Sequence, residues 1–256
     1  MAGVVGNQAW VHNPPLERIP VAILNRIVSE CHLDILNHGP GANHAILRLM
    51  FRHPQAVASQ HAPAGTTGVK VDLAVNGRIV PGPIASELAV KTFTYIGPNI
   101  HASHSAEILV VGEKRVNDFL KVLESAKLLP CSFDYVLPDA VGCRDFISQY
   151  IFQLEMAKVL RIPALSDLYK CFNFRYPAPG VPGKVASPVP RALFGNTAFV
   201  HIAVPGVLYV PAPAPAPGPA PPAALAPAPA PAPPPPAPVK KGPGKKGAGK
   251  GKKKGP

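Results

Sequence analysis

Negative charge is scarce in this 256-residue chain and absent from its last quarter. All 14 acidic residues lie before Ser187, whereas eight of the 26 basic residues occupy the final 17 positions: Lys240, Lys241, Lys245, Lys246, Lys250, Lys252, Lys253 and Lys254. The preceding body holds 18 basic against 14 acidic residues and is close to balance. Such asymmetry points to a basic appendage acting on an acidic partner.

Other absences narrow the reading. No stretch reaches the roughly 18 uninterrupted apolar residues that a spanning helix needs, so no membrane span is expected. The opening MAGVVGNQAW has neither a basic n-region nor a continuous apolar core, which argues against a secretory signal. A nuclear or cytoplasmic location follows as the expectation, neither secreted nor membrane-bound. The four cysteines, Cys31, Cys131, Cys143 and Cys171, form no C-x-x-C pair and match no zinc spacing. Each sits among apolar residues and reads as a reduced, mostly buried thiol. No G-x-S-x-G, Walker A or G-x-G-x-x-G pattern occurs, so no catalytic residue, cofactor or reaction class is assigned.

What is present changes character near Val210. Residues 211–238 contain 15 prolines, the rest being alanine, one glycine and Leu225. Proline fixes φ and donates no backbone hydrogen, so a disordered, polyproline-II-like spacer is predicted. At about 3.1 Å per residue it reaches on the order of 85 Å. Beyond it, lysine supplies compact charge and glycine flexibility, with no aromatic after Tyr209 on which bases could stack. Sequence-blind phosphate neutralisation remains. Lys252-Lys253-Lys254 also matches a nuclear import run. In composition this end resembles the lysine-, alanine- and proline-rich tails of linker histones. The expected organisation is a flexible terminus at 1–14, a globular domain at 15–205, a linker at 206–238 and a basic tail at 239–256.

Within the body, Ile23, Leu24, Ile27, Val28 and Cys31 recur at helical spacing and predict a buried amphipathic helix. The phrase from Ile19 to Ile27 also resembles the opening of an F-box. Residues 45–52 (AILRLMFR) fit either a strand or a short helix. Val69, Val71, Leu73 and Val75 alternate with Lys70, Asp72 and Ala74, and Asn76-Gly77 then precedes Arg78-Ile79-Val80, which predicts a hairpin with a type I′ turn. Residues 83–92 (PIASELAVKT) read as a short helix, 93–96 and 108–111 as strands, and 113–126 as a helix with Val116, Phe119, Leu120 and Leu123 inward. Longer helices are predicted over 143–160 and 164–172, with late strands at 199–204 and 207–210. The sum is α+β: an early β-hairpin and small sheet capped by a helix-rich second half.

Two clusters invite chemistry. His101 and His104 form H-x-x-H with Glu107 nearby, a metal candidate only if a helix brings the rings together. A solvated loop is the simpler reading. Cys31 and His32, with Asp34 and His38, offer a thiol and a base, but adjacent helical residues do not face one another.

The hairpin at 69–80, the segment 84–89, the step from Glu107–Val111 into Val116–Leu123, and the run from Gln149 to Leu168 with its break at Ile162-Pro163 together resemble a divergent BTB/POZ domain over about residues 68–172. That resemblance implies a protein–protein interaction module without cofactor or catalysis. The combined expectation is an adaptor that binds a protein partner or itself, with a tail that engages nucleic acid or another polyanion. The alternative is a nucleic-acid-associated structural protein whose tail does the main work. An enzyme is a third class.

Overall fold

In the computed structural model, the chain separates into two units, Met1–Pro211 and Ala212–Pro256. The structure describes residues 9–12, 18–37, 43–60, 62–75, 82–97, 99–136, 139–163, 167–177, 179, 187–188, 194 and 199–207. The proline-rich spacer, the eight C-terminal lysines, His38 and the Asn76-Gly77 turn lie outside these residues.

The first unit is mixed α+β, built on a curled antiparallel sheet. Its strands are β1 (Ala9–His12), β2 (Ile27–Leu36), β3 (His44–Phe51), β4 (Gly68–Val75), β5 (Gly82–Phe93), β6 (Ala102–Val110), β7 (Lys114–Arg115), β8 (Ser132–Val136), β9 (Asp139–Val141) and β10 (Leu160–Arg161). Their order is β10-β6-β2-β3-β4-β5-β8-β9, with β1 added to β5 and β7 to β2. A two-stranded ladder pairs β11 (Phe174–Arg175) with β12 (Ser187–Pro188). The helices are the single turn α1 (Val21–Leu24), then α2 (Val116–Ser125) and α3 (Cys143–Met156), followed by a 3₁₀ segment at Leu168–Asn173.

Strand alternation divides the sheet into two faces. Cys31, Leu33 and Ile35 of β2, Leu47 and Leu49 of β3, Val69, Val71 and Leu73 of β4, and Leu88 and Val90 of β5 are buried together. They share that core with Phe119 and Leu120 of α2 and Phe146, Tyr150 and Ile151 of α3. The Tyr150 hydroxyl donates to the Phe119 carbonyl at 2.8 Å, tying the helices inside it. Gly68 is required where β3, β4 and β5 meet, because a Cβ there would overlap the Leu49 carbonyl oxygen and sit 2.6 Å from Phe93 Cζ.

Several expectations are corrected. The helix predicted through Cys31 lasts only for α1, and from Ile27 the chain is strand β2. The helix predicted at 83–92 is strand β5, whose Ile84, Ser86, Leu88, Val90 and Thr92 are all buried at a period of two. Alanine, glutamate and leucine favour a helix locally, but pairing with β4 on one edge and with β1 and β8 on the other overrides that preference. Val75 pairs with Ser86, and residues 76–81 between them lie outside the described residues. The sheet is ten-stranded rather than small. Residues 199–204 form no strand. The region 45–52 is strand β3 over His44–Phe51, the helix expected at 113–126 is present as α2, and that expected at 143–160 as α3, which stops at Met156 before Leu160 enters β10.

Candidate functional site

Two polar clusters stand out against the apolar core. The first joins three elements. Strand β3 begins at His44, held there by Asn43, whose Nδ2 donates to the Leu36 carbonyl at 3.3 Å and to the Tyr176 carbonyl at 3.0 Å. Strand β4 supplies Asp72. Helix α3 supplies Cys143, its first residue, after Gly142 at φ 119°, a left-handed turn that suits glycine. Cys143 Sγ lies 3.0 Å from His44 Nδ1, and His44 Nε2 lies 2.5 Å from Asp72 Oδ1. Lys91 Nζ approaches the other Asp72 oxygen at 3.7 Å.

These groups are sheltered but not sealed. Cys143 is 7% exposed, and the His44 and Asp72 side chains 23% and 18%. Burial alone would lower the proton affinity of His44. Electrostatic attraction from the Cys143 side chain, hydrogen bonds to Asp72 and Cys143, and the Asp72 carboxylate charge outweigh it, and the His44 pKa is raised well above the usual histidine range. Burial pushes the other thiols upward: Cys31 strongly, Cys131 to about 11, and Cys171 in the same direction.

A thiol touching an imidazole that is backed by a carboxylate is the arrangement that activates a cysteine nucleophile. Residues 99 positions apart in sequence form its central contact, so no spacing motif exists to find it. The one legible signal was a Gly-Cys step at the start of a predicted helix, where backbone N–H groups and the helix dipole favour a thiolate.

The second cluster lies on the sheet face away from the apolar core, the face to which Asp72 also alternates. Arg48 of β3 and Asp34 of β2 are 1% and 0% exposed. Arg48 Nε donates to Asp34 Oδ2 at 2.9 Å and its Nη1 to the Gly97 carbonyl at 2.8 Å, while Ser105 Oγ donates to Asp34 Oδ1 at 2.6 Å. Tyr95 roofs the pair, with its ring centroid 5.6 Å from the guanidinium carbon and 5.2 Å from Lys70 Nζ. Alongside is a cavity of about 260 Å³ whose lining includes Arg48 itself, with Glu30, His32, Met50, Ile96, Gly97 and Ser105. Arg48 directs its donors to Asp34, to the Gly97 carbonyl and to Met50 Sδ, so the cluster ties β2 and β3 to the β5–β6 connection.

The histidines singled out by sequence are not brought together. His101 is exposed in the turn before β6, with its backbone N–H donating to Asn99 Oδ1 at 3.1 Å. His104 lies within β6 opposite Ile35, stacks on Tyr176 at 4.8 Å and places Nε2 3.0 Å from Cys171 Sγ. Burial lowers its pKa. Among the described residues, no group of three or more His, Cys, Asp or Glu side chains is placed to hold a metal ion. Cys31 and His32 point to opposite faces of β2, as strand neighbours must. No helix among the described residues is long and apolar enough to cross a membrane. Compared with family models, curated proteins and solved structures, the chain matches none.

Proposed function

We propose that this protein is a scaffold that ties a folded interaction unit to polyanions, nucleic acid foremost, through the lysines from Lys240 to Lys254. The observation that carries this reading is charge segregation: eight lysines without a single acidic neighbour, beyond a spacer of 15 prolines in 28 residues. Lysine binds phosphate as a point charge, and each neutralised phosphate releases a condensed counterion. The nearly balanced body escapes that attraction and is left for contact with a protein partner or a second copy. Ile96 and Ile100 support such contact, standing 80% and 81% exposed around the β5–β6 connection. The BTB/POZ resemblance adds the strand-then-helix step from β6 to α2 and loses its first helix, which is strand β5.

The test uses the full chain and a variant with all eight tail lysines changed to glutamine. Binding to a fluorescent DNA duplex is followed by anisotropy across a salt series. With every lysine engaged, log K against log salt approaches a slope of about −7, and the variant loses the binding. Unchanged affinity in the variant, or binding indifferent to salt, refutes the proposal.

A further inference from the structure

The tail accounts for none of the chemistry at the start of α3. We infer that Cys143, His44 and Asp72 form a nucleophilic thiol site that transfers acyl groups from ester or amide carbonyls to water. This goes beyond the scaffold reading and does not depend on it.

Three features of the geometry carry it. Sulfur and imidazole are in contact at 3.0 Å, close enough for one proton to pass between Sγ and Nδ1. The far nitrogen is held by Asp72 at 2.5 Å, which fixes the ring and favours its charged form. The sulfur also sits at the first residue of a 14-residue helix, directly after Gly142 at φ 119°. The positive end of the helix dipole there favours a thiolate and the oxyanion that forms on the carbonyl oxygen.

In the first step Sγ attacks the carbonyl carbon, forming a C–S bond while the C=O π pair moves to oxygen. The pair returns and expels the alcohol or amine, which takes the proton held by His44. Water then attacks the thioester, His44 Nδ1 accepts its proton, and the C–S bond breaks to release the acid and restore the sulfur. Cys143 and His44 touch the reacting atoms, and Asp72 is a positioning residue.

The molecule contains its own control. Cys171 also contacts an imidazole at 3.0 Å, that of His104, and is more exposed than Cys143. Burial raises the Cys171 pKa and lowers that of His104, so each favours its neutral form. If labelling follows exposure, Cys171 reacts first; if it follows activation by His44 and Asp72, Cys143 does.

The experiment treats the full-length protein with substoichiometric iodoacetamide and, separately, with p-nitrophenyl acetate, and maps adducts by peptide mass spectrometry. Cys143 should be alkylated at least about tenfold faster than Cys171 and should alone carry acetyl that turns over. His44→Ala should slow its alkylation by about 10²-fold. Asp72→Asn should slow Cys143 while leaving Cys171 unchanged, whereas simple loosening of the fold would speed both. Equal labelling of the two thiols, or selective alkylation without an acetyl adduct, overturns the inference. The comparison within the unmutated protein stands even where a variant fails to fold.

Discussion

Replacing Arg48 with methionine tests whether the sheet's second face is as dry as its geometry implies. The side chain keeps apolar bulk between Asp34 and Tyr95 but loses its hydrogen bonds to the Asp34 carboxylate and to the Gly97 carbonyl. Asp34, fully buried, keeps only the Ser105 hydroxyl among the side-chain partners described above. Removing one partner of a buried ion pair costs about 3–5 kcal/mol because the remaining charge is left without compensation. For a domain of this size each kcal/mol lowers Tm by roughly 2–4 °C, so the variant should melt about 6–20 °C lower. The cost belongs to the stranded carboxylate and not to lost attraction. The double variant Asp34→Leu with Arg48→Met should therefore recover to within about 1 kcal/mol of the parent. Urea unfolding of the full chain, followed by circular dichroism and fluorescence with coincident transitions, supplies both numbers. A single variant destabilised by less than about 1 kcal/mol, or a double variant no better than the single, would show that water reaches Asp34 freely and sink the reasoning.

Gly68→Ala should destabilise by about 1–3 kcal/mol in the same urea assay, because the new methyl meets a backbone oxygen that cannot move aside. Lys158, at φ 55° just past α3, holds a left-handed position where Val159 N–H reaches back to the Leu154 carbonyl at 2.9 Å; Lys158→Gly should stabilise by about 1 kcal/mol, read as a rise in the urea midpoint. His44 titrates above its unfolded value, so its stabilising contribution is complete below about pH 6.5 and is lost as pH climbs through its folded pKa. The stability difference between the parent and His44→Gln should therefore shrink with rising pH, and a difference that grows instead would reverse the assigned sign. Histidine proton NMR should place the His44 midpoint above and the His104 midpoint below the ordinary range.

The sequence by itself determined whatever depends on near neighbours along the chain. The stripe of Val116, Phe119, Leu120 and Leu123 marked α2, and the apolar positions of 143–154 marked α3, because helical hydrogen bonds close within four residues. Charge segregation in the tail was equally plain, being a property of composition. Strands β2 and β5 escaped because their hydrogen-bond partners come from distant segments: Ile23 to Cys31 fits a helical period as well as the onset of a strand, and the alternation Ile84, Ser86, Leu88, Val90, Thr92 was masked by helix-favouring alanine and glutamate between. Only the tertiary structure decided that His44, Asp72 and Cys143 meet, since β3, β4 and α3 had first to pack around one core before three separated side chains came within hydrogen-bond reach. It also decided that His101 and His104 part company: His101 stays in the exposed turn before β6, while His104 lies within the strand against Tyr176 and Cys171.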